Sequence, residues 1–157
     1  MCFHRVQTVD ENDRLLNGQR PSPNIEKFNR KDIFHISIPT LSVVFRKCFD
    51  RIPPEMFNAK SGDTFLFGLL ASYGKAADLG FLGAHYRKHS GGVFSPKKMV
   101  EQFVQAIETR KLMQRSSLFA KEQKREIRRE IIKRKILYIK YFLKRYEPLN
   151  SFKIIIT

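Results

Sequence analysis

The feature that most limits how this chain can fold is a helical pattern of about thirty residues, 117–146, near its C-terminal end. Pro148 blocks any continuation, because proline lacks a backbone N–H and clashes with the preceding turn of a helix. At a rise of about 1.5 Å per residue, such a helix is about 45 Å long. A compact domain of this size does not require so long an element. The sequence therefore predicts a long helix whose two ends lie in different surroundings.

The first half of this predicted helix is strongly basic. Residues 121–135 contain eight Lys or Arg and three Glu, so five positive charges remain unneutralised. Because residues four apart share a face of a helix, most of these cations form two neighbouring stripes, with the glutamates along one border. The residues of the two stripes are Lys121, Lys124, Arg125, Arg128, Arg129 and Lys133.

The second half of the predicted helix, residues 136–143, carries one charge in eight residues and is apolar around most of its circumference. A segment of this kind is typically buried on more than one side. We therefore expect the apolar half to root the helix and the basic half to project from the packed base. Pairs such as Glu126 with Arg129 and Glu130 with Arg134 would each stabilise the projecting part by about 0.2–0.5 kcal/mol.

Periodic apolar residues predict further helices upstream. Residues 40–51 carry apolar side chains at i, i+3, i+4, i+7 and i+8, which is one face of an amphipathic helix. Asp63 and Thr64 suit the start of a helix that ends at Tyr73. Ser95 as N-cap and Pro96 at the first helical position suit the start of another. The expected spans are residues 40–51, 63–73, 75–82 and 95–113.

The remaining segments look irregular or weakly β-like. Proline, glycine and asparagine gather in residues 17–24, so residues 1–32 are predicted to be an irregular N-terminal arm. Residues 33–157 are predicted to form a single helical domain. Residues 32–38 and 152–156 are weak strand candidates, and the two could pair. The predicted fold is mainly α, with four or five helices, a long basic C-terminal helix and at most a small β-pair from the two termini.

The charge of the chain limits the class of its partner. The formal net charge is +15 at pH 7. Residues 1–79 contain eleven Lys or Arg and nine Asp or Glu, a balance of +2, whereas residues 80–157 contain nineteen and six, a balance of +13. Such an asymmetry favours a polyanionic partner. The ordinary alternative is a basic surface that contacts only water.

The predicted function is non-enzymatic: a basic RNA-binding protein that serves as a structural component of a ribonucleoprotein such as a ribosome, beside neighbouring proteins of that assembly. A matrix-like peripheral protein on an anionic membrane and a DNA-binding regulator are the alternatives. The residues expected to contact phosphates belong to the basic helix and to a basic loop over residues 85–98. They are Arg87, Lys88, Lys97, Lys98, Lys121, Lys124, Arg125, Arg128, Arg129 and Lys133.

No pattern in the sequence indicates catalysis, a metal or a cofactor. His85 and His89 have the i, i+4 spacing of metal ligands, but no third ligand follows in regular spacing, so both are grouped with the basic cluster. The N-terminal residues lack the apolar stretch of a secretory signal. An intracellular location, in the cytoplasm or an organelle matrix, is expected.

Overall fold

The computed structural model describes residues 1–91 and 97–157. Of these residues 47% are helical and 19% lie in strands, so the fold is mixed α/β and the prediction of a mainly α protein is wrong. Contacts group the chain into two compact units. The sheet unit consists of Met1–Asp50 and Tyr73–Pro96, and the helical unit of Arg51–Ser72 and Lys97–Thr157.

The sheet unit is built from five strands. They are β1 (Cys2–Val9), β2 (Leu15–Gly18), β3 (Glu26–Phe28), β4 (Val43–Val44) and β5 (Ala76–Arg87). The strand order is β2-β1-β5-β3, and β4 also pairs with β1. β1 and β5 run parallel, and the other pairings are antiparallel.

Residues 1–32, predicted to be an irregular arm, contain three of these strands. The buried side chains of β1 are those of Phe3, Val6 and Val9, which are three residues apart. A regular strand alternates every second residue, but the pairing of β1 with β5 shifts register twice between Phe3 and Val6. The sequence therefore lacks the alternation that indicates a strand, and the prediction of an irregular arm is wrong.

β5 occupies the place of the short helix predicted at residues 75–82, which is a second correction. Gly80 has a left-handed φ of 78°, and a Cβ there would collide with the carbonyl oxygen of Ser22. A Cβ at Gly83 would lie 2.6 Å from Nδ1 of His4. Both glycines fall where extra residues of β5 oppose β1, and glycine inside a strand often marks such a bulge.

The segment between β3 and the helical unit also differs from its prediction. Residues 40–51 do not form a helix: a 3₁₀ turn at Thr40–Ser42 leads directly into β4. The β-branched Val43 pairs with Phe3 at the sheet, so strand pairing overrides the helical periodicity. The strand predicted at residues 32–38 is replaced by a 3₁₀ turn, Asp32–Phe34, which buries Ile33 and Phe34.

The helical unit contains a 3₁₀ turn (Pro54–Asn58) and α1 (Gly62–Tyr73, whose last residue belongs to the sheet unit), α2 (Met99–Arg115), α3 (Lys121–Leu143) and α4 (Pro148–Ile156). The helices predicted at residues 63–73 and 95–113 are thereby confirmed as elements. The proposed helix start at Ser95 and Pro96 lies outside the described residues. α2 packs on α3 through Phe103, whose ring stacks on that of Tyr138 with centroids 3.7 Å apart.

α3 ends earlier than predicted, and a separate helix follows it. Tyr146 adopts a left-handed φ of 57° after the end of α3, and Pro148 takes the first position of α4, where its missing N–H costs nothing. Residues 152–156 are therefore helical, and the predicted terminal strand is wrong. α4 runs back along α3, because Ser151 Oγ donates to the carbonyl of Ile139 at 3.4 Å and Lys135 Nζ donates to that of Ile155 at 3.0 Å.

Candidate nucleic-acid interface

The basic half of α3 is anchored in the helical unit rather than projecting from it. Ile127 and Ile131 are buried on its inner face. Gln123, which precedes them on the same face, donates from Nε2 to Ser72 Oγ of α1 at 3.0 Å. The expectation that residues 121–135 project from a packed base is therefore wrong. The helix presents one side to the core and the other to solvent.

A buried ionic cluster lies beneath this half of the helix. Glu130 is only 2% exposed and accepts a hydrogen bond of 2.6 Å from Arg134 Nε, whose guanidinium also donates to the Tyr138 hydroxyl at 2.9 Å. Arg110 of α2 is buried nearby and donates to the carbonyl of Ala106. Burial, and then the positive charge of Arg134, lower the pKa of Arg110 to about 10.

The same cluster raises the pKa of Arg134. Burial tends to lower the pKa of Arg134, but its contacts with Tyr138 and Glu130 outweigh burial and raise that pKa above its ordinary value. The carboxylate of Glu130 is thus neutralised by guanidinium groups inside the unit. One of the three glutamates counted in residues 121–135 therefore contributes no negative charge to the outer surface.

The outer side of α3 carries the predicted cations. Arg129 donates to Glu126 Oε1 at 2.6 Å, as its spacing predicts. Lys124 is half-buried and the other five are exposed. Within the described residues, five of the six stripe cations form no ion pair: Lys121, Lys124, Arg125, Arg128 and Lys133. Glu122 is the one exposed glutamate of this helix, so the outer surface remains cationic.

Arg87 and Lys88 belong to the sheet unit. Arg87 ends β5, and its guanidinium donates to Asp13 Oδ1 at 2.6 Å and to the carbonyls of Asp10 and Glu11. These contacts tie the turn between β1 and β2 to the end of β5, which gives Arg87 a structural task. Lys88 is exposed, and its backbone N–H donates to the carbonyl of Val9.

Lys97 and Lys98 lie at the opposite end of α3 from Lys121. They precede α2, whose early residue Phe103 contacts Tyr138 and Phe142, near the end of α3. Lys97 is half-buried and donates to Gln105 Oε1 at 3.3 Å, whereas Lys98 is exposed. Within the helical unit, Lys97 and Lys98 are therefore separate from the six predicted residues on α3. The six on α3 share a surface, which we call the α3 basic face.

Sequence reasoning missed an exposed apolar surface at the other end of the same unit. Residues 136–143 were expected to be buried on more than one side, yet Ile136, Leu137 and Leu143 are exposed. α4 exposes Leu149, Phe152 and Ile156 as well. Their i, i+3, i+7 spacing is the signal that would have indicated an amphipathic helix.

Residues 1–91 and 97–157 contain neither a candidate metal site nor a candidate membrane-spanning helix. No three His, Cys, Asp or Glu side chains there are placed to hold a metal ion. No helix in this described part is long and apolar enough to cross a membrane.

Comparison with other proteins gives no guide to the role of these surfaces. No protein-family model, curated protein or solved structure matches the chain.

Proposed function

We propose that the chain is a non-enzymatic RNA-binding protein, a structural component of a ribonucleoprotein assembly such as a ribosome, and that it docks on RNA phosphates through the α3 basic face. The observation that carries this proposal is the sidedness of α3. Its inner face is anchored by Ile127 and Ile131. Of the six cations of the α3 basic face, only Arg129 forms an ion pair within the described residues.

A row of this kind suits a phosphate backbone. From Lys121 to Lys133 the helix rises about 18 Å, and successive members of a stripe are about 6 Å apart along its axis. Cations that neutralise phosphates release counterions, which supplies affinity without reading bases. Because the helix is fixed by its buried side, the backbone that carries the cations is already ordered before binding, and only their side chains lose freedom. Structured RNA, recognised largely by its shape and phosphates, fits such a surface.

The test is the salt dependence of binding to a structured RNA hairpin, measured by fluorescence anisotropy. Arg125→Gln/Arg128→Gln removes two charges from the α3 basic face. It is expected to lower the slope of log K against log salt by about two units, because each lost phosphate contact lowers it by about one. Lys140→Gln/Lys144→Gln removes the same charge from exposed positions beyond that face, and the slope should stay near that of the wild type.

Two results would contradict the proposal: no binding to the hairpin at low salt, or equal loss of slope in the two double variants. Duplex DNA of matched length serves as the competitor. Stronger binding to one DNA sequence than to the hairpin would favour the DNA-binding regulator instead. The absorbance ratio of the purified protein, before and after a high-salt wash, is the simplest first measurement. Copurified nucleic acid should be present before the wash and lost after it.

A further inference from the structure

The helical unit has a second surface, which differs from the α3 basic face in carrying large apolar side chains. On α4 the buried residues are Ser151 and Ile154, and they fix which side of this short helix faces inward. The opposite side is apolar apart from Lys153. On α3, a stripe with i, i+4 and i+11 spacing is also exposed. We call the combined set the apolar face: Ile132, Ile136 and Leu143 of α3 with Leu149, Phe152, Ile155 and Ile156 of α4.

The two parts of the apolar face are neighbours. Lys135, which directly precedes Ile136, hydrogen-bonds the carbonyl of Ile155, and Ile139 accepts a hydrogen bond from Ser151. The exposed stripe of α3 therefore borders the line along which α4 packs. A monomeric soluble protein rarely gathers so many exposed large apolar side chains, and such a patch usually marks an interaction surface.

Cations surround this face, and acids are nearly absent. Apart from Arg134, which is paired with the buried Glu130, residues 132–157 contain six Lys or Arg and one acidic side chain, Glu147, a balance of +5. A second copy of the chain would bring the same charge against itself, so self-association through this face is disfavoured. An anionic surface with an apolar interior matches both properties of the face at once.

A groove beside α4 adds to this charge pattern. It lies between α2 and α4, has a volume of about 510 Å³ and is lined by Lys111, Arg115 and Lys153 against one acid, Glu108, with Ile156 of the apolar face at its edge. Lys135 lies close enough to Lys111 that its pKa is lowered, first by burial and then by the charge of Lys111. Cations therefore crowd together next to exposed apolar side chains.

We propose that the apolar face docks on the surface of a membrane that contains anionic lipids. The side chains of Phe152, Ile156 and their neighbours enter between the headgroups, and the surrounding cations contact lipid phosphates. Tyr146, 94% exposed in the turn between α3 and α4, sits at the polar boundary, where tyrosine is favoured. The long stems of Lys and Arg lie along the apolar surface while their charges reach the headgroups.

The first experiment uses the absence of tryptophan from the chain. Phe152→Trp places one fluorophore on the apolar face. With vesicles made of equal parts of phosphatidylcholine and phosphatidylglycerol, its emission should shift to shorter wavelength, because the indole leaves water. With phosphatidylcholine vesicles the emission should not move. An unchanged emission with the anionic vesicles would overturn the proposal.

The second experiment compares two sets of exposed apolar residues by vesicle co-sedimentation. Phe152→Ser/Ile156→Ser should weaken binding to the anionic vesicles by at least about tenfold, the effect expected from losing buried apolar area. Leu137→Ser is the matched control, because Leu137 is equally exposed but lies about 100° around α3 from Ile136. Its binding should stay near that of the wild type. Circular dichroism checks that each variant is folded.

Three outcomes would contradict the proposal that the apolar face docks on an anionic membrane. Leu137→Ser could weaken vesicle binding as much as Phe152→Ser/Ile156→Ser does, which would mean that the apolar face is not the contact. The wild type could fail to sediment with anionic vesicles. Sedimentation velocity in buffer could show a dimer that Phe152→Ser/Ile156→Ser abolishes, which would assign the face to a second copy of the chain. Because the α3 basic face is untouched in these variants, their RNA binding should persist in every case.

Discussion

The first half of α3 turns Ile127 and Ile131 into the core and most of its cations towards solvent, whereas the second half leaves Ile136, Leu137 and Leu143 in water. The second half is anchored as well, because it buries Tyr138 and Phe142, so the charged half is no less fixed than the apolar one. Two of the three acids of the first half are used internally, because Glu130 and Glu126 pair with arginines of the same helix. The charge content of a helix segment therefore does not decide whether the segment is buried. Paired charges can lie in the core, and apolar side chains stay exposed where no neighbouring element covers them.

The largest expected effect comes from the charge buried in the first half. Glu130→Ala leaves Arg134 and Arg110 without their carboxylate, and removing one partner of a buried ion pair typically costs about 3–5 kcal/mol. Urea denaturation followed by far-ultraviolet circular dichroism measures this loss. Glu122→Ala, at an exposed position of the same helix, should change the free energy of unfolding by about 0.5 kcal/mol or less. A similar small change for Glu130→Ala would mean that the buried charge does not anchor the helix.

The second comparison replaces the same residue type in the two halves. Ile127→Ala creates a cavity in the core and should lower the free energy of unfolding by about 2–5 kcal/mol. Ile136→Ala acts at a half-exposed position and should cost about 1 kcal/mol or less. The same urea experiment gives both values. Equal losses would show that Ile136 is packed as tightly in solution as Ile127, which would contradict its exposure.

A smaller effect is expected on RNA affinity. Arg128→Gln removes one cation from the α3 basic face and should lower the salt slope of hairpin binding by about one unit. Lys140→Gln, in the second half, should leave the slope unchanged. Arg87→Gln should also leave it unchanged while weakening the sheet unit, because Arg87 is engaged with Asp13. A loss of slope with Lys140→Gln alone would reverse the roles of the two halves.

The smallest expected effect is electrostatic and local. Burial and the charge of Lys111 lower the pKa of Lys135. Lys111→Ala removes a positive neighbour that destabilises the ammonium form of Lys135, so the pKa of Lys135 should rise. Lysine side-chain NMR titration reports the change, with Lys98 as an exposed reference. A pKa of Lys135 that falls or stays constant would contradict the close approach of the two lysines.

The sequence predicts the elements whose apolar residues repeat at helical spacing and whose ends carry local signals. α1 and α2 were recognised in this way. β1 was missed because its buried residues, Phe3, Val6 and Val9, are three apart, and the cause lies in a bulged partner some 75 residues away. Gly80 and Gly83, which lie at those bulges, give no local signal that distinguishes a bulged strand from another structure. A local pattern cannot reveal a register that is set by distant pairing.

The candidate surfaces also combine features that follow from local spacing with features that depend on distant contacts. The cation stripes of α3 follow from helical spacing, and five of their six side chains are exposed. Their separation from Lys97 depends on which helices pack together, which spacing does not encode. Pro148 was interpreted only as a stop, yet proline also starts helices, and this ambiguity concealed α4 together with its exposed side chains.

The sheet unit is discontinuous along the chain: β1 lies within the first ten residues, and its parallel partner β5 comes only after Arg51–Ser72, a segment of the helical unit. During synthesis, β1 must wait for more than 70 residues before its main partner leaves the ribosome. Pairings between such distant segments form slowly, because the entropy of closing the loop is lost before the stabilising contacts form. Until then the edge of β1 that pairs with β5 stays unpaired and open to other chains, although β2 and β4 can already pair with its opposite edge. We expect expression yield to depend on chaperones and growth temperature more than the stability of the finished protein would suggest.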